Sequence, residues 1–382
     1  MSKNIVILGG GMGGIVAAHE LRRKLSDEFK VILIDKRDSH FYSPSLLWVL
    51  AGERKPEQIV RKFDRLAGKG IEFYQASVNK IDVETKTVTA GERLFHYEYL
   101  IIAMGADINC SAIPGVSADN CLYKLEGVLN IREKLNTFSG GRVFVVIAGT
   151  PYKCPAAPVE AVLLLDTIFK KKKIRDKVEL KLFTAEEGPM SVAGPNISGE
   201  VKKMVESLGI EYTPSIKLES VSQQNKEISF ANGQKYNYDL LLVIPPHQAP
   251  AVVKDAGLLG ESGWIPVNAK TLETKHPGVF AIGDITGIKL ANGKALPKAG
   301  VFAHFQAEVV AKNIVSQIKG EKPQKEFTGG GACFLDTGRG SAGVAFGDFY
   351  ATPDPKVAMI PPLKIGYWGK VLFEKWWLWK WF

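Results

Sequence analysis

A chain of 382 residues, 46% hydrophobic and 23% charged, has enough apolar material for a core divided among two or three compact units, a balance that excludes a disordered chain. Lys and Arg exceed Asp and Glu by nine (49 against 40), which favours anionic surroundings without choosing among a phospholipid surface, a small anionic substrate and nucleic acid. Four cysteines (Cys110, Cys121, Cys154, Cys333) are too few for a secreted disulfide scaffold, and without a CxxC or a Cys/His cluster they define no metal site.

In chain order, the first predicted element is a buried parallel strand at Ile5–Leu8, a short apolar and β-branched run. The glycines break this run and a charged amphipathic helix (13–25) follows, which argues against a signal peptide. No stretch reaches the ~20 apolar residues of a membrane span, so the chain is expected to begin and stay in the cytoplasm. Gly9, Gly11 and Gly14 follow the strand as GxGxxG, and a second strand at 29–34 ends on Asp35. That register fits a dinucleotide fingerprint. The first glycine makes the turn, the second lets backbone approach a pyrophosphate at the helix N-terminus, and the third packs helix on strand. Asp35 stands where an acid accepts hydrogen bonds from a ribose.

Residues 71–105 turn to short alternating runs that end in a strand entering Ala103-Met-Gly105. From Arg142 the strand–helix theme restarts, with strands at 143–147, 178–183 and 240–244 and a helix at 157–173, the pattern of a second doubly wound unit. A strand from Val279 closes on Gly283-Asp284, and a long helix is predicted over Gly300–Ile318. The turn after 143–147 carries three prolines and one glycine where a nicotinamide site needs a glycine-rich phosphate turn. Proline offers no N–H to a pyrophosphate, so NADH binding is disfavoured there, although Glu186 stands where a ribose-binding acid would.

The fingerprint at Gly9–Asp35, the Ala103–Ala106 turn and Ala281-Ile-Gly-Asp284 together resemble the flavoproteins with two dinucleotide-binding domains, and Lys153-Cys-Pro-Ala-Ala-Pro-Val-Glu160 with Gly331-Ala-Cys-Phe334 is similar to the cysteine motifs of sulfide:quinone oxidoreductases. The resemblance implies an α/β fold of two doubly wound, Rossmann-like units plus a C-terminal amphipathic membrane-association segment. Its units are a discontinuous FAD-binding domain (1–113 and 275–328), a second domain carrying Cys154 (114–274) and a C-terminal segment carrying Cys333 (329–382). It implies a Cys154–Cys333 redox pair beside the flavin ring. Cys121, about where some members place a third cysteine, becomes a candidate for sulfur handling, whereas Cys110 reads as structural. Asp284 belongs near the ribityl or pyrophosphate group, Ser43-Pro44-Ser45 near the ring, and Lys298 and Gly300 at a helix N-terminus facing the pyrimidine, where positive charge stabilises reduced flavin.

By the same resemblance, hydrosulfide attacks the disulfide, Cys333 is the thiolate that passes electrons to FAD, and a membrane quinone takes them. Glu160 is a candidate proton shuttle. Phe334, Phe346 and Tyr350 are candidates for the quinone pocket. The C-terminus, Tyr367 to Phe382, holds five of seven tryptophans. It carries too many charges to span a bilayer, and its Trp and snorkelling Lys residues suit a peripheral position on the cytoplasmic face of the cell membrane. Because every FAD motif lies upstream, this tail is expected to be dispensable for folding. Nucleic acid is not expected as a partner, and a homo-oligomer is possible. Alternatives are a type II NADH:quinone oxidoreductase, a cytochrome-linked flavoprotein sulfide dehydrogenase and a flavin-bearing membrane adaptor without turnover.

Overall fold

The structure, a computed structural model, describes residues 3–322 and 324–382. Strand β1 (Lys3–Leu8) leads through helix α1 (Met12–Lys24) to β2 (Phe29–Asp35), and the two strands pair in parallel with Leu8 opposite Ile34. That register sets the glycine turn beside the acid: Gly9 N–H donates to Ile34 O at 2.8 Å and Gly10 N–H to Asp35 Oδ2 at 2.7 Å. Helix α2 (Leu46–Leu50), β3 (Glu72–Gln75) and β4 (Tyr99–Ile102) follow.

After α3 (Leu125–Thr137), the second unit is built from β5 (Gly141–Ile147), α4 (Ala157–Lys171), β6 (Val178–Thr184), β7 (Glu211–Thr213) and β8 (Leu240–Ile244). Its sheet has the order β7-β6-β5-β8, parallel throughout. Strand β5 and all of β8 are apolar and buried along their centres, because a parallel sheet covered on both faces by helices leaves no strand face for water.

The chain returns to the first unit well before Lys275. Val253, Leu258, Trp264 and Ile265 already share a core with Val6, Leu8, Ile32 and Leu100, so the crossing falls near Ala251. Strand β9 (Val279–Ala281) completes a five-stranded parallel sheet, β9-β4-β1-β2-β3, and α5 (Gly300–Ile318) packs along α1. The carboxyl ends of β1, β4 and β9 converge, with Ala103 N–H donating to Leu8 O at 2.8 Å and Ile282 N–H to Ile102 O at 3.0 Å. This convergence is the place where open α/β sheets bind ligands.

Three antiparallel strands, β10 (Gly330–Gly338), β11 (Ser341–Asp348) and β12 (Lys356–Leu363), then lay β10 on α4. Helix α6 (Lys364–Lys380) closes the chain, and its environment corrects the expectation of a dispensable surface tail. Lys370, Val371, Glu374, Trp377, Leu378 and Trp381 are buried, with Trp377 stacked near His40 and Tyr42 of the first unit at ring distances of 4.8 and 5.3 Å. Lys370 and Glu374 therefore do not snorkel to an interface. Truncation before Tyr367 would uncover core. The opposite side of α6 is also apolar and faces solvent, with Ile365, Trp368, Leu372 and Trp379 between 62% and 77% exposed.

Candidate active site

Each fingerprint glycine has its own local reason. Gly9 adopts φ +100°, and a Cβ at Gly14 would fall on the Gly9 carbonyl oxygen. A Cβ at Gly11 would meet nothing within 4 Å. Gly11 therefore borders open space at an α1 N-terminus that has no side-chain cap and no acid in its first turn, and its free N–H groups suit a pyrophosphate. This gives a paired prediction. Gly14→Ala should destabilise the fold by about 1–3 kcal/mol or more, since backbone cannot yield to the methyl, whereas Gly11→Ala should lose bound cofactor and melt with the cofactor-stripped parent. Melting curves and absorbance of the purified variants check both.

The other cofactor candidates surround the same convergence. Asp35 accepts hydrogen bonds from the Gly10 and Arg37 N–H groups, which hold its carboxyl below the usual range against burial. Gly105 takes φ +67° with open space before it, and Gly283 takes φ +76° against Ala303. Pro44 sits in a short 3-10 turn, Ser43–Ser45. Gln306 Oε1 accepts from Gly283 N–H at 2.6 Å while its buried Nε2 has no protein partner, an orphaned donor that suits a polar ligand. Gly300 opens α5, and a Cβ there would strike Met12. Lys298 differs from expectation. Its ammonium does not stand free at the helix end; it donates to Asp284 O at 2.6 Å and lies 3.3 Å above the Trp264 ring, with burial pulling its pKa down to about 8. Burial raises the Asp284 carboxyl, opposed by Lys153 and Lys298.

Cys154 lies just before α4 in a left-handed conformation, φ +54°, rare for a residue with a Cβ. Three bonds hold it there: its N–H donates to Lys298 O at 2.6 Å, and its carbonyl accepts from Ala157 N–H at 3.0 Å and from Tyr123 Oη–H at 3.1 Å. Cys333 comes from β10 and lines the same cleft as Cys154, with its own thiol donating to Phe334 O at 3.5 Å. The neighbouring Cys154 thiol lowers the Cys333 pKa against burial and the Glu160 charge, with the Lys370 ammonium assisting, while the Cys154 pKa is raised by Cys333 and by burial. Of the two thiols, Cys333 is therefore the more readily ionised. An apolar cleft fronts it, bordered by Met190, Val192, Ala193, Phe302, Phe346 and Phe349.

Behind Cys333 lies a charge network whose other members were not apparent beforehand. Glu160 Oε1 accepts from Asp336 N–H at 2.6 Å and from Lys370 Nζ at 2.9 Å, and Trp48 Nε1–H donates to Asp336 Oδ2 at 2.7 Å. Burial raises the Glu160 carboxyl and opposes the Lys370 charge, but Glu160 and Asp336 outweigh that and hold the ammonium above its ordinary value. One turn further along α6, Glu374 pairs with Arg54 at 2.9 Å and accepts from Ser45 Oγ–H. A signal for this buried face existed: residues 370, 374, 377, 378 and 381 share one side of a helix.

Several expected residues stand elsewhere. Cys121 does not line the cleft shared by Cys154 and Cys333; it is fully buried and forms a β-bridge with Val243 of β8. Strand register puts Phe334 and Phe346 on one face of the C-terminal sheet, Phe334 within 6.3 Å of the Phe373 ring of α6. Tyr350 is turned away and donates to Ala269 O at 2.8 Å, so it does not join them. Glu186 is engaged internally, because buried Tyr152 donates its hydroxyl to it at 2.5 Å from within the proline-rich turn.

The convergence of the first sheet suits a dinucleotide-type cofactor, and Cys154 of the second unit and Cys333 of the C-terminal sheet line one apolar cleft. Residues 3–307 match the description "Pyridine nucleotide-disulphide oxidoreductase", and the chain belongs to that family, which implies a flavin. It is 29% identical to the sulfide-quinone reductase of Aquifex aeolicus over 100% of this chain and 91% of that one. It is 26% identical to the mitochondrial sulfide:quinone oxidoreductase of Mus musculus, over 91% and 79% of the respective chains. The crystal structure of the Aquifex aeolicus sulfide:quinone oxidoreductase superposes with a TM-score of 0.87 at 26% identity, covering 99% of this chain and 91% of that one. A type II NADH:quinone oxidoreductase of Haemophilus influenzae is 26% identical over 85% of this chain and 82% of its own.

Proposed function

We propose that this protein oxidises hydrosulfide with FAD and passes the two electrons to a membrane quinone. The observation that carries the reading is that Cys154, just before α4, and Cys333, on β10, line one apolar cleft. The proline-bounded turn and the Tyr152–Glu186 bond speak against a nicotinamide donor.

In the oxidised enzyme the pair is a disulfide. Hydrosulfide attacks Cys154 Sγ, a new S–S bond forms, and the Cys154–Cys333 bond breaks. Cys154 is left as a persulfide and Cys333 as a thiolate, the better leaving group because the Lys370 ammonium favours its charge. Bound FAD supplies the two-electron acceptor between this thiolate and the quinone. Glu160 and Lys370 carry protons within reach of Cys333, and the apolar cleft suits an uncharged sulfane chain more than water.

The exposed side of α6 suits a membrane surface, with Trp368, Leu372, Trp376 and Trp379 flanked by Lys364, Lys375 and Lys380. Among the described residues no helix is long and apolar enough to cross a membrane. Burying each such side chain contributes about 1.5–3 kcal/mol. Replacing Trp368, Leu372 and Trp379 together by Glu should therefore weaken binding to liposomes more than about 100-fold. The fold should survive, since none of the three is buried. Turnover of hydrosulfide with a long-chain quinone in bilayers should fall in step, while turnover with a short, water-soluble quinone stays near the parent rate. Equal loss with both quinones would remove α6 from membrane attachment, and no turnover with either quinone in the parent would refute the reaction.

A further inference from the structure

Helix α6 sorts its charges by side. Of its five charged residues, Lys370 and Glu374 point inward, where they are buried and paired with Glu160 and Arg54 at 2.9 Å each. Lys364, Lys375 and Lys380 are exposed and, among the described residues, none of them has an ion pair. Lys380 lies along the surface instead, its ammonium 4.7 Å from the Trp376 ring centroid and 4.4 Å from that of Trp381. Glu53, an acid beside the first turn of the helix, is taken by the Tyr367 hydroxyl at 2.9 Å. The outward side of α6 therefore holds three positive charges and no negative one. A turn of about 100° per residue places them. Trp368, Trp379, Leu372, Ile365 and Trp376, between 40% and 77% exposed, fall in that order around an arc of about 80°. Lys364 and Lys375 lie about 60–80° to one side of the centre of this stripe, and Lys380 about 80° to the other. A helix lying flat with the stripe in the acyl region thus carries its lysines sideways at headgroup depth, where their chains snorkel to phosphates.

We infer that α6 recognises anionic phospholipid, and that Lys364, Lys375 and Lys380, rather than the apolar stripe, select it over zwitterionic lipid. The inference rests on the membrane reading of α6 and adds the class of headgroup. Both kinds of lipid offer the stripe the same acyl region, so apolar burial does not tell them apart. A phosphatidylcholine headgroup carries its own ammonium and leaves the surface without net charge, whereas phosphatidylglycerol leaves a phosphate to be neutralised. Each lysine near such a surface strengthens binding about fivefold, and three together on the order of 100-fold. A second copy of this chain is the poorer occupant, because pairing the same face with itself would set three uncompensated lysines against three others.

The test is co-sedimentation of the full chain with vesicles of phosphatidylcholine alone and of phosphatidylcholine mixed with phosphatidylglycerol, at low and at high salt. At low salt the parent should bind the mixed vesicles on the order of 100-fold more tightly. Salt at about 1 M, where screening acts within about 3 Å, should remove that preference and leave the binding common to both vesicles. The variant carrying Lys364→Gln, Lys375→Gln and Lys380→Gln should bind both vesicles as the parent binds phosphatidylcholine. It should keep the parent's melting temperature, since the three side chains are exposed and make no ion pair among the described residues. The salt series on the parent alone serves if the triple variant does not fold. Equal binding of the parent to both vesicles at low salt, or a preference that persists in the triple variant, would overturn the inference and leave the membrane reading standing. Binding of the parent to neither vesicle would overturn both.

Discussion

Cys333→Ser and Cys154→Ser should each lower hydrosulfide-dependent turnover by at least about 10³-fold, the scale at which removal of a covalent nucleophile is felt. A serine hydroxyl neither forms the disulfide nor leaves as an anion near neutral pH. The two variants should differ in their remaining thiol. In Cys154→Ser the sulfur on Cys333 keeps Lys370 nearby, although it loses the neighbouring thiol, and should be the faster to alkylate. In Cys333→Ser the surviving Cys154 sits in a buried place beside the Glu160 carboxyl, which disfavours its thiolate, and should alkylate slowly. Stopped-flow reduction and timed alkylation with mass analysis measure both effects. Full activity in either variant would remove the pair from the reaction.

Lys370→Met should destabilise the protein by about 3–5 kcal/mol, the range for removing one partner of a buried ion pair. Glu160 and Asp336 are 5% and 1% exposed, and the ammonium is the cation at 2.9 and 3.7 Å from them. Methionine preserves the apolar stem and removes the charge. Adding Glu160→Gln should recover most of the loss, because the amide oxygen still accepts the Asp336 N–H while one unpaired carboxylate disappears. Cys333 should alkylate more slowly in Lys370→Met, a readout that packing alone does not move. Denaturant melts of the single and double variants give the coupling directly.

Much of this was legible in the sequence where the signal is local. The Gly9–Asp35 fingerprint depends on a strand, a turn and a helix within one βαβ unit, and β8 and α5 span the residues expected of them. The second unit's strands were visible as apolar runs, because both sheet faces are covered. The C-terminal antiparallel sheet was not assigned as strands, since Gly338, Gly343, Gly347 and the Pro361-Pro362 pair interrupt the alternation that marks a half-buried strand. The Lys370–Glu160 pair joins residues 210 apart and has no local signature. For α6, tryptophan content drew attention to a membrane face and hid a second, buried face that helical spacing would have exposed. Tyr350 shows the same limit: composition names an aromatic residue but does not say which way it points.

The most direct measurement is the anaerobic visible spectrum of the purified yellow enzyme during titration with hydrosulfide and, separately, with NADH. Hydrosulfide should bleach the flavin band within the mixing time of a manual experiment, and NADH at the same concentration should leave it unchanged, because the proposed Cys154–Cys333 disulfide would accept a sulfur nucleophile while the turn before α4 lacks a nucleotide's phosphate cradle. Rapid bleaching by NADH with an unchanged band under hydrosulfide would contradict the account.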